Sequence, residues 1–359
     1  SVDDWPKLLD KLSGVTAELK ASPPRIEAEE VDEVLAFLDW LKVGNFTFVG
    51  VRDYMFEAGS DGDLMLEPGE GLGILRDPEV HVLRGASGHT AVTAQVRAYL
   101  EQPDPILTMK ANIRSTVHRP VYLDYVGVKR FNAEGVAVGE TRFVGLFTSN
   151  AYTSSILNIP HFRRKAAAVM AEAGFSHDGH DGKALLNVLE TFPRDEFIQI
   201  DPETLYDYAL GIMHLQERPR TRLFVRQDRY RRFCSALVYM PRERYNSDIR
   251  AEVGKLLVKA LNGRLSAYYP AFGEDALARV HFIIGTDAET AVELDAEAVR
   301  ALEETIAEKV RDWRDGLNEA LIEARGEALG NSLYACYRNA FSVGYRASFD
   351  PHIAVSDIE

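Results

Sequence analysis

ILTMKANIRSTVHRPVYLDYVGVKRFNAEGVAVGETRFVGLF, residues 106–147, contains three runs rich in β-branched and aromatic residues, broken only by HRP (118–120) and NAEG (132–135). Breaks this short predict hairpin connections, so the stretch reads as a three-strand antiparallel meander. Alternation along the first run places Lys110, Asn112, Arg114, Thr116 and His118 on one face and Ala111, Ile113, Ser115 and Val117 on the other. A row of cationic and amide side chains suits a bound carboxylate or an acidic partner, and it equally suits a solvated sheet face.

Upstream, NFTFVGVRDYMFE (45–57) and DLMLE (63–67), separated by the turn signal SDG, predict two more strands. A Gly- and Pro-containing stretch with one helical candidate, TAQVRAYLEQ (93–102), lies between them and the meander. This order is a one-sheet sensor layout of the PAS-like kind, assigned to 45–150. Residues 1–44 are read as N-terminal helices. The first is stopped by ASPPR, and the second carries Val31, Val34, Leu35, Leu38 and Leu41 before Gly44 caps it.

Residues 151–219 read as a helical linker, with Pro160 suited to a first helical position, Gly174 to a stop, and Asp181 and Asp201 to N-caps. TRLFVRQ and RFCSALVYM flank DRYR as a hairpin. NSDIRAEVGKLLVKALNG is a capped helix, and RLSAYYPAF and LARVHFIIGT add two strands. A four-stranded antiparallel sheet with a helix on one face makes 220–288 ACT-like or ferredoxin-like. Over 289–359, Val299, Leu302, Ile306, Val310, Trp313, Leu317 and Leu321 predict one helix from 295 to 325. A second helix is expected around SLYACYRNAF, and the tail ASFDPHIAVSDIE reads as the start of a strand leading toward a further domain. The expected class is multidomain α+β.

At 359 residues the chain is long enough for two or more compact units, and 46% hydrophobic with 27% charged residues is a globular composition. A formal charge of −14 argues against nucleic acid as a partner, because phosphate binding needs local cationic excess. Charge is uneven, however. Arg218 to Arg232 holds seven arginines and one acid, whereas Asp287 to Glu327 holds thirteen acids and five bases, which suggests electrostatic docking. RNA binding by the arginine hairpin, with Phe224, Phe233 and Tyr239 nearby, is a weaker reading, since the strands lack a paired aromatic platform. Cys234 and Cys336 build no disulfide framework, so a reducing, cytoplasmic compartment is expected. No window approaches the ~20 apolar residues of a membrane span. The start without Met suggests a piece of a longer chain.

Motifs for chemistry are weak. EPGEGLGIL spaces Gly69, Gly71 and Gly73 wrongly for a dinucleotide fingerprint, and no Walker-type loop or GxSxG elbow is present. SHDGHDGK offers His177, Asp178, His180 and Asp181 within five residues, and a capped turn accounts for them better than a metal site. His118 has no acid/base partner identifiable in the sequence, so the polar face of the meander is read as a binding or inter-domain surface and no catalytic residue is assigned.

GNFTFVGVRDY, GLGILR, KANIRSTVHRPVYLDYVGVKRF, GETRFVGLFTSNAY, IPHFRRKAAAVM, HDGKALLNVLETFPRDE, LQERPRTRLFVRQDRYRRFCSALVYMPRERYN and AFSVGYRASFDPHIAVSDIE together resemble the N-terminal half of the large bacterial NAD-specific glutamate dehydrogenases, from about residue 27 to the end. The resemblance implies a parent homo-oligomer that oxidises L-glutamate with NAD to 2-oxoglutarate and ammonium, with its dehydrogenase module C-terminal to this region. It implies PAS-like and ACT-like domains that regulate and assemble that enzyme, with no cofactor held here. The partners it implies are that module, other subunits and an amino-acid effector. ACT-like modules bind amino acids at strand-to-helix loops or between paired domains, which directs attention to Arg242, Arg244, Tyr245 and Asn246, with Arg222 and Arg226 of the hairpin alongside. The competing expectations are that these arginines pair with the acidic 295–325 segment, and that the region is a scaffold with no small ligand.

Overall fold

The computed structural model describes residues 4–58, 64–77, 79, 80, 82, 102–116, 120–176, 178–273, 276–287, 292 and 294–358. The helical candidate TAQVRAYLEQ and His118 lie outside the described residues, apart from Gln102. The chain divides into two compact units, Ser1–His214 and Leu215–Glu359.

The first unit opens with helices α1 (Trp5–Ala21) and α2 (Ala28–Trp40), and a wide turn over Leu41–Asn45 follows α2. Gly44 sits there at φ +85°, the left-handed conformation that the cap requires. Strands β1 (Phe46–Ala58), β2 (Leu64–Gly73), β3 (Ile106–Arg114), β4 (Tyr122–Phe131) and β5 (Ala137–Phe147) form an antiparallel sheet in the order β2-β1-β5-β4-β3. The stretch EPGEGLG is therefore strand, and its glycines serve close approach. A Cβ at Gly71 would overlap the Leu75 carbonyl, and Gly73 has φ +63°.

One face of this sheet packs on helices through an aromatic cluster. Phe46, Phe48, Phe143 and Phe147 interlock at centroid distances of 4.9–5.8 Å, and Trp5 lies 6.0 Å from Phe48. Such pairs contribute about 0.5–1.5 kcal/mol each beyond burial. Downstream come α3 (Ser149–Thr153), α4 (Phe162–Ala173), α5 (His180–Thr191), α6 (Arg194–Gln199) and α7 (Pro202–Glu217). Gly174 ends α4 in the left-handed region and Asp201 caps the start of α7 through the Thr204 amide, as expected. Pro160 stands outside α4, whose N-cap is His161. Asp181 lies in the first turn of α5 behind the capping Gly179, where its charge still favours the helix dipole.

The second unit begins with β6 (Arg222–Gln227) and β7 (Phe233–Pro241), then α8 (Ser247–Ala260), β8 (Arg264–Phe272), β9 (Leu277–Gly285) and α9 (Ala296–Val310). The sheet is antiparallel in the order β6-β7-β9-β8. In this ββαββα order, β6 occupies the edge place that the last strand takes in a βαββαβ ferredoxin-like sheet. Alternate residues Ala236, Val238, Val280, Phe282 and Ile284 face α8 and α9, meeting Val253, Leu257 and Ile306 in one core.

The single helix expected over 295–325 is two. Arg311 is extended at ψ 137°, and Asp312 accepts a hydrogen bond from the Arg314 amide to cap α10 (Trp313–Arg325). The hydrophobic period runs through the break unchanged, but it serves two cores: Ile306 and Val310 join the sheet, whereas Leu317 and Leu321 join Ala354 and Val355 in a separate cluster. Helices α11 (Glu327–Tyr337), α12 (Val343–Ser348) and α13 (Pro351–Ile358) complete that cluster. The tail is thus helical where a strand was expected, because Pro351 starts a helix well and Ala354 and Val355 reach one face.

Candidate functional site

Lys110 is not part of an open cationic row. Its ammonium lies 2.6 Å from Asp124 and 2.9 Å from Asp195, and the Tyr152 hydroxyl donates to Asp195 at 2.7 Å. Burial opposes the charge on Lys110, but the two carboxylates outweigh it and raise its pKa, so it stays protonated. Thr108 donates to the Ile198 carbonyl at 2.9 Å, and the Lys110 amide donates to Gln199 at 3.3 Å. This polar face fastens β3 to α6. Arg114 is exposed and stacks on Tyr122 at 5.0 Å. Lys110 and Arg114 share one face, as alternation expects, because their partners Asp124 and Tyr122 lie two residues apart on β4; the irregularity between them, four steps along β3 against two along β4, leaves that parity unchanged.

The opposite face of the sheet carries a charged cluster that the strand pattern alone did not flag. Glu140 accepts from the Tyr125 hydroxyl at 2.5 Å and from Arg142 Nε at 2.8 Å, and the Arg142 guanidinium stacks over Tyr54 at 4.1 Å. Burial again opposes the charge on Arg142, and Glu140 more than compensates, raising its pKa. Arg52 donates to the carbonyls of Leu75 and Asp77. The signal available in the sequence was the polar alternation Tyr125-Gly127-Lys129 opposite Glu140-Arg142, on strands otherwise buried along their length.

In the second unit, the predicted effector residues are each engaged within the chain. Arg222 bonds Glu303 of α9 at 3.0 Å. Arg226 donates to the Gln227 carbonyl at 3.3 Å. Arg242 donates to the Gly273 carbonyl at 3.0 Å and lies over Phe272. Arg244 pairs with Asp312 and, at 3.0 Å, with Asp315. Asn246 caps α8, accepting from the amides of Asp248 and Ile249 at 2.9 Å. Within the hairpin, Asp228 binds Arg232 at 2.7 Å and receives the Tyr230 and Arg232 amides, so part of the arginine excess is neutralised locally. Among the described residues no helix is long and apolar enough to cross a membrane, and no group of three His, Cys, Asp or Glu residues is placed to hold a metal.

The four-stranded unit with its two helices, flanked by helical segments, marks an α+β chain with an ACT domain. Sequence models of the glutamate dehydrogenase ACT2 domain, helical motif 1 and helical motif 2 match residues 222–314, 159–218 and 320–359. The chain is 36% identical over 363 residues to the NAD-specific glutamate dehydrogenase of Halomonas elongata and 34% identical over 362 residues to that of Pseudomonas aeruginosa. All of this chain is covered in both alignments, along with 22% of each relative. The Mycobacterium tuberculosis enzyme is 29% identical over 367 residues, covering 99% of this chain and 21% of the relative. The chain belongs to the NAD-specific glutamate dehydrogenase family and corresponds to an N-terminal region of it, spanning about a fifth of the length of the relatives it matches.

Proposed function

We propose that this region is a non-catalytic regulatory and assembly segment of a larger enzyme that oxidises L-glutamate with NAD and water to 2-oxoglutarate and ammonium. The NAD and the reacting substrate are then held by a dehydrogenase module C-terminal to it, and the segment acts on that module and on other subunits of a homo-oligomer in the cytoplasm. The first sheet is read as PAS-like, which its order β2-β1-β5-β4-β3 supports. The second is the ACT domain, with helical motifs on either side.

One observation carries the mechanism. Arg244, in the connection between β7 and α8, holds Asp312 and Asp315 at the break between α9 and α10. A carboxylate effector can reach this guanidinium only by displacing those aspartates. It would therefore bind one arrangement of α10 better than the other, and such a difference is what lets a ligand shift an equilibrium. The test is a thermal-unfolding screen against glutamate, aspartate and arginine, with NAD as control. A ligand at a hundred times its dissociation constant adds about 2.7 kcal/mol. A shift with one amino acid that Arg244→Lys abolishes supports the reading, and no shift with any of them removes effector binding.

The architectural alternative has its own support, because Arg222, Arg244 and Asn246 are already satisfied inside the chain. It predicts self-association that weakens with salt and is indifferent to amino acids, measured by sedimentation across an ionic-strength series.

A further inference from the structure

On the sheet face of the first unit that carries Tyr125 and Glu140, Arg52 and Arg142 are direct cross-strand neighbours on β1 and β5. Both are buried, at 4% and 6% exposure. Arg52 spends its hydrogen bonds on the neutral carbonyls of Leu75 and Asp77. Arg142 uses Nε on Glu140, whose other oxygen is taken by Tyr125. Among the described residues nothing accepts a hydrogen bond from Nη1 or Nη2 of Arg142. Two buried guanidiniums and the buried Lys129, the cross-strand neighbour of Glu140, thus lie around one carboxylate, and the Nη edge of Arg142 faces no acceptor among the described residues.

The surroundings hold that fork in place. Stacking on Tyr54 at 4.1 Å fixes the guanidinium plane, and Glu140 fixes its Nε edge. Gly127, on the same face, leaves room for the Tyr125 hydroxyl, which a Cβ there would approach to 2.6 Å. We propose that Arg142 and Arg52 form a binding site for a small organic carboxylate, whose two oxygens take parallel hydrogen bonds from Nη1 and Nη2 of Arg142. Carboxylate matches the fork bidentately, and its negative charge offsets part of the cationic excess that Arg52 and Lys129 leave beside Glu140. This site is separate from the ACT arginines and stands or falls independently of them.

The experiment titrates the 359-residue chain with acetate, succinate, L-glutamate and inorganic phosphate at constant ionic strength, by calorimetry and by thermal unfolding. At least one carboxylate binds saturably to the native sequence. Arg142→Lys keeps the charge beside Glu140 and loses the fork, so affinity falls about tenfold. Glu140→Gln removes the competing carboxylate, so affinity rises even as stability falls, a pairing of effects that a purely structural ion pair does not produce. Should Arg142→Lys fail to fold, the Glu140→Gln affinity decides. The proposal is overturned by an absence of saturable carboxylate binding, by affinity unchanged in either variant, or by phosphate binding at least as tightly as every carboxylate.

Discussion

Arg244 Nη2 lies 3.0 Å from Asp315 while the same guanidinium holds Asp312, so one side chain from the strand-to-helix connection grips both acids at the start of α10. Asp312 has two tasks, since it also caps α10 by accepting from the Arg314 amide at 2.9 Å. Burial pushes its carboxyl up, but the Arg314 amide and the Arg244 guanidinium outweigh this and hold it below the ordinary range.

The two tasks can be separated. Asp312→Ala loses the cap and the ion pair and should cost about 1–2 kcal/mol in urea unfolding, whereas Asp312→Asn keeps a capping oxygen and should cost less than half as much. Because the folded pKa is depressed, the charge stabilises above the ordinary carboxylate pKa of about 3.9, and that contribution disappears as the pH falls through the folded value. Equal costs for Ala and Asn would mean that the cap is unimportant.

Lys110 should behave as a buried ion whose removal is worse than its replacement. Lys110→Met leaves Asp124, 1% exposed, without its cation and should destabilise the first unit by about 3–5 kcal/mol. Lys110→Met combined with Asp124→Asn should recover most of that loss, because the amide oxygen still accepts from the buried Phe147 amide and the remaining acid, Asp195, is far more exposed. A denaturation cycle with additive single costs would rule out the coupling.

The strands, both sheets and most helices were legible because each rests on local period and punctuation: hairpin breaks at NAEG and DRYR, a cap at Asn246, a stop at Gly174. What failed was information that period does not carry. Val310 and Trp313 keep helical spacing across a break that is marked only by the capping Asp312, and the apolar positions on either side serve different cores. The site reading suffered similarly. Alternation places Lys110 and Arg114 on one face, but it does not show that Asp124 and Asp195 close around the first while the second stays exposed. The ion pairs of Arg222 and Arg244 join segments 81 and 68 residues apart, so charge composition suggested them without identifying partners.

Two glycines make an opposed pair. Gly14 lies within α1 with nothing within 4 Å of a Cβ placed there, so Gly14→Ala should stabilise by about 0.5–1 kcal/mol through the unfolded chain. Gly71→Ala, whose Cβ would overlap the Leu75 carbonyl, should destabilise by more than that and disturb the Arg52 hydrogen bond to the same carbonyl. Thermal unfolding of both variants checks the pair, and a stabilising Gly71→Ala would mean that β2 and the turn after it are not packed as described.

His161 gives the clearest pH dependence. It stands at the N-cap of α4 with φ 66°, its amide donates to Glu33 at 3.0 Å, and its ring lies 5.7 Å from Phe37. Burial, reinforced by the nearby Lys165 charge and only partly opposed by Glu33, pushes its pKa down to about 4. The unfolded chain therefore binds a proton near pH 6.5 that the folded chain refuses until about pH 4. Neutral His161 contributes stability that is complete above pH 6.5 and shrinks as the pH falls through this window, by about 3 kcal/mol in all. Glu33 is held below its ordinary range by the hydrogen bond from Arg163, so it keeps its charge over most of the same window. His161→Asn tolerates the positive φ and cannot titrate. It should be less stable than the native chain at pH 7 through lost ring packing, yet lose less stability between pH 6.5 and 4.5. Parallel stability curves for the two proteins over that range would show that His161 takes up its proton equally in the folded and unfolded chains, with no downward shift.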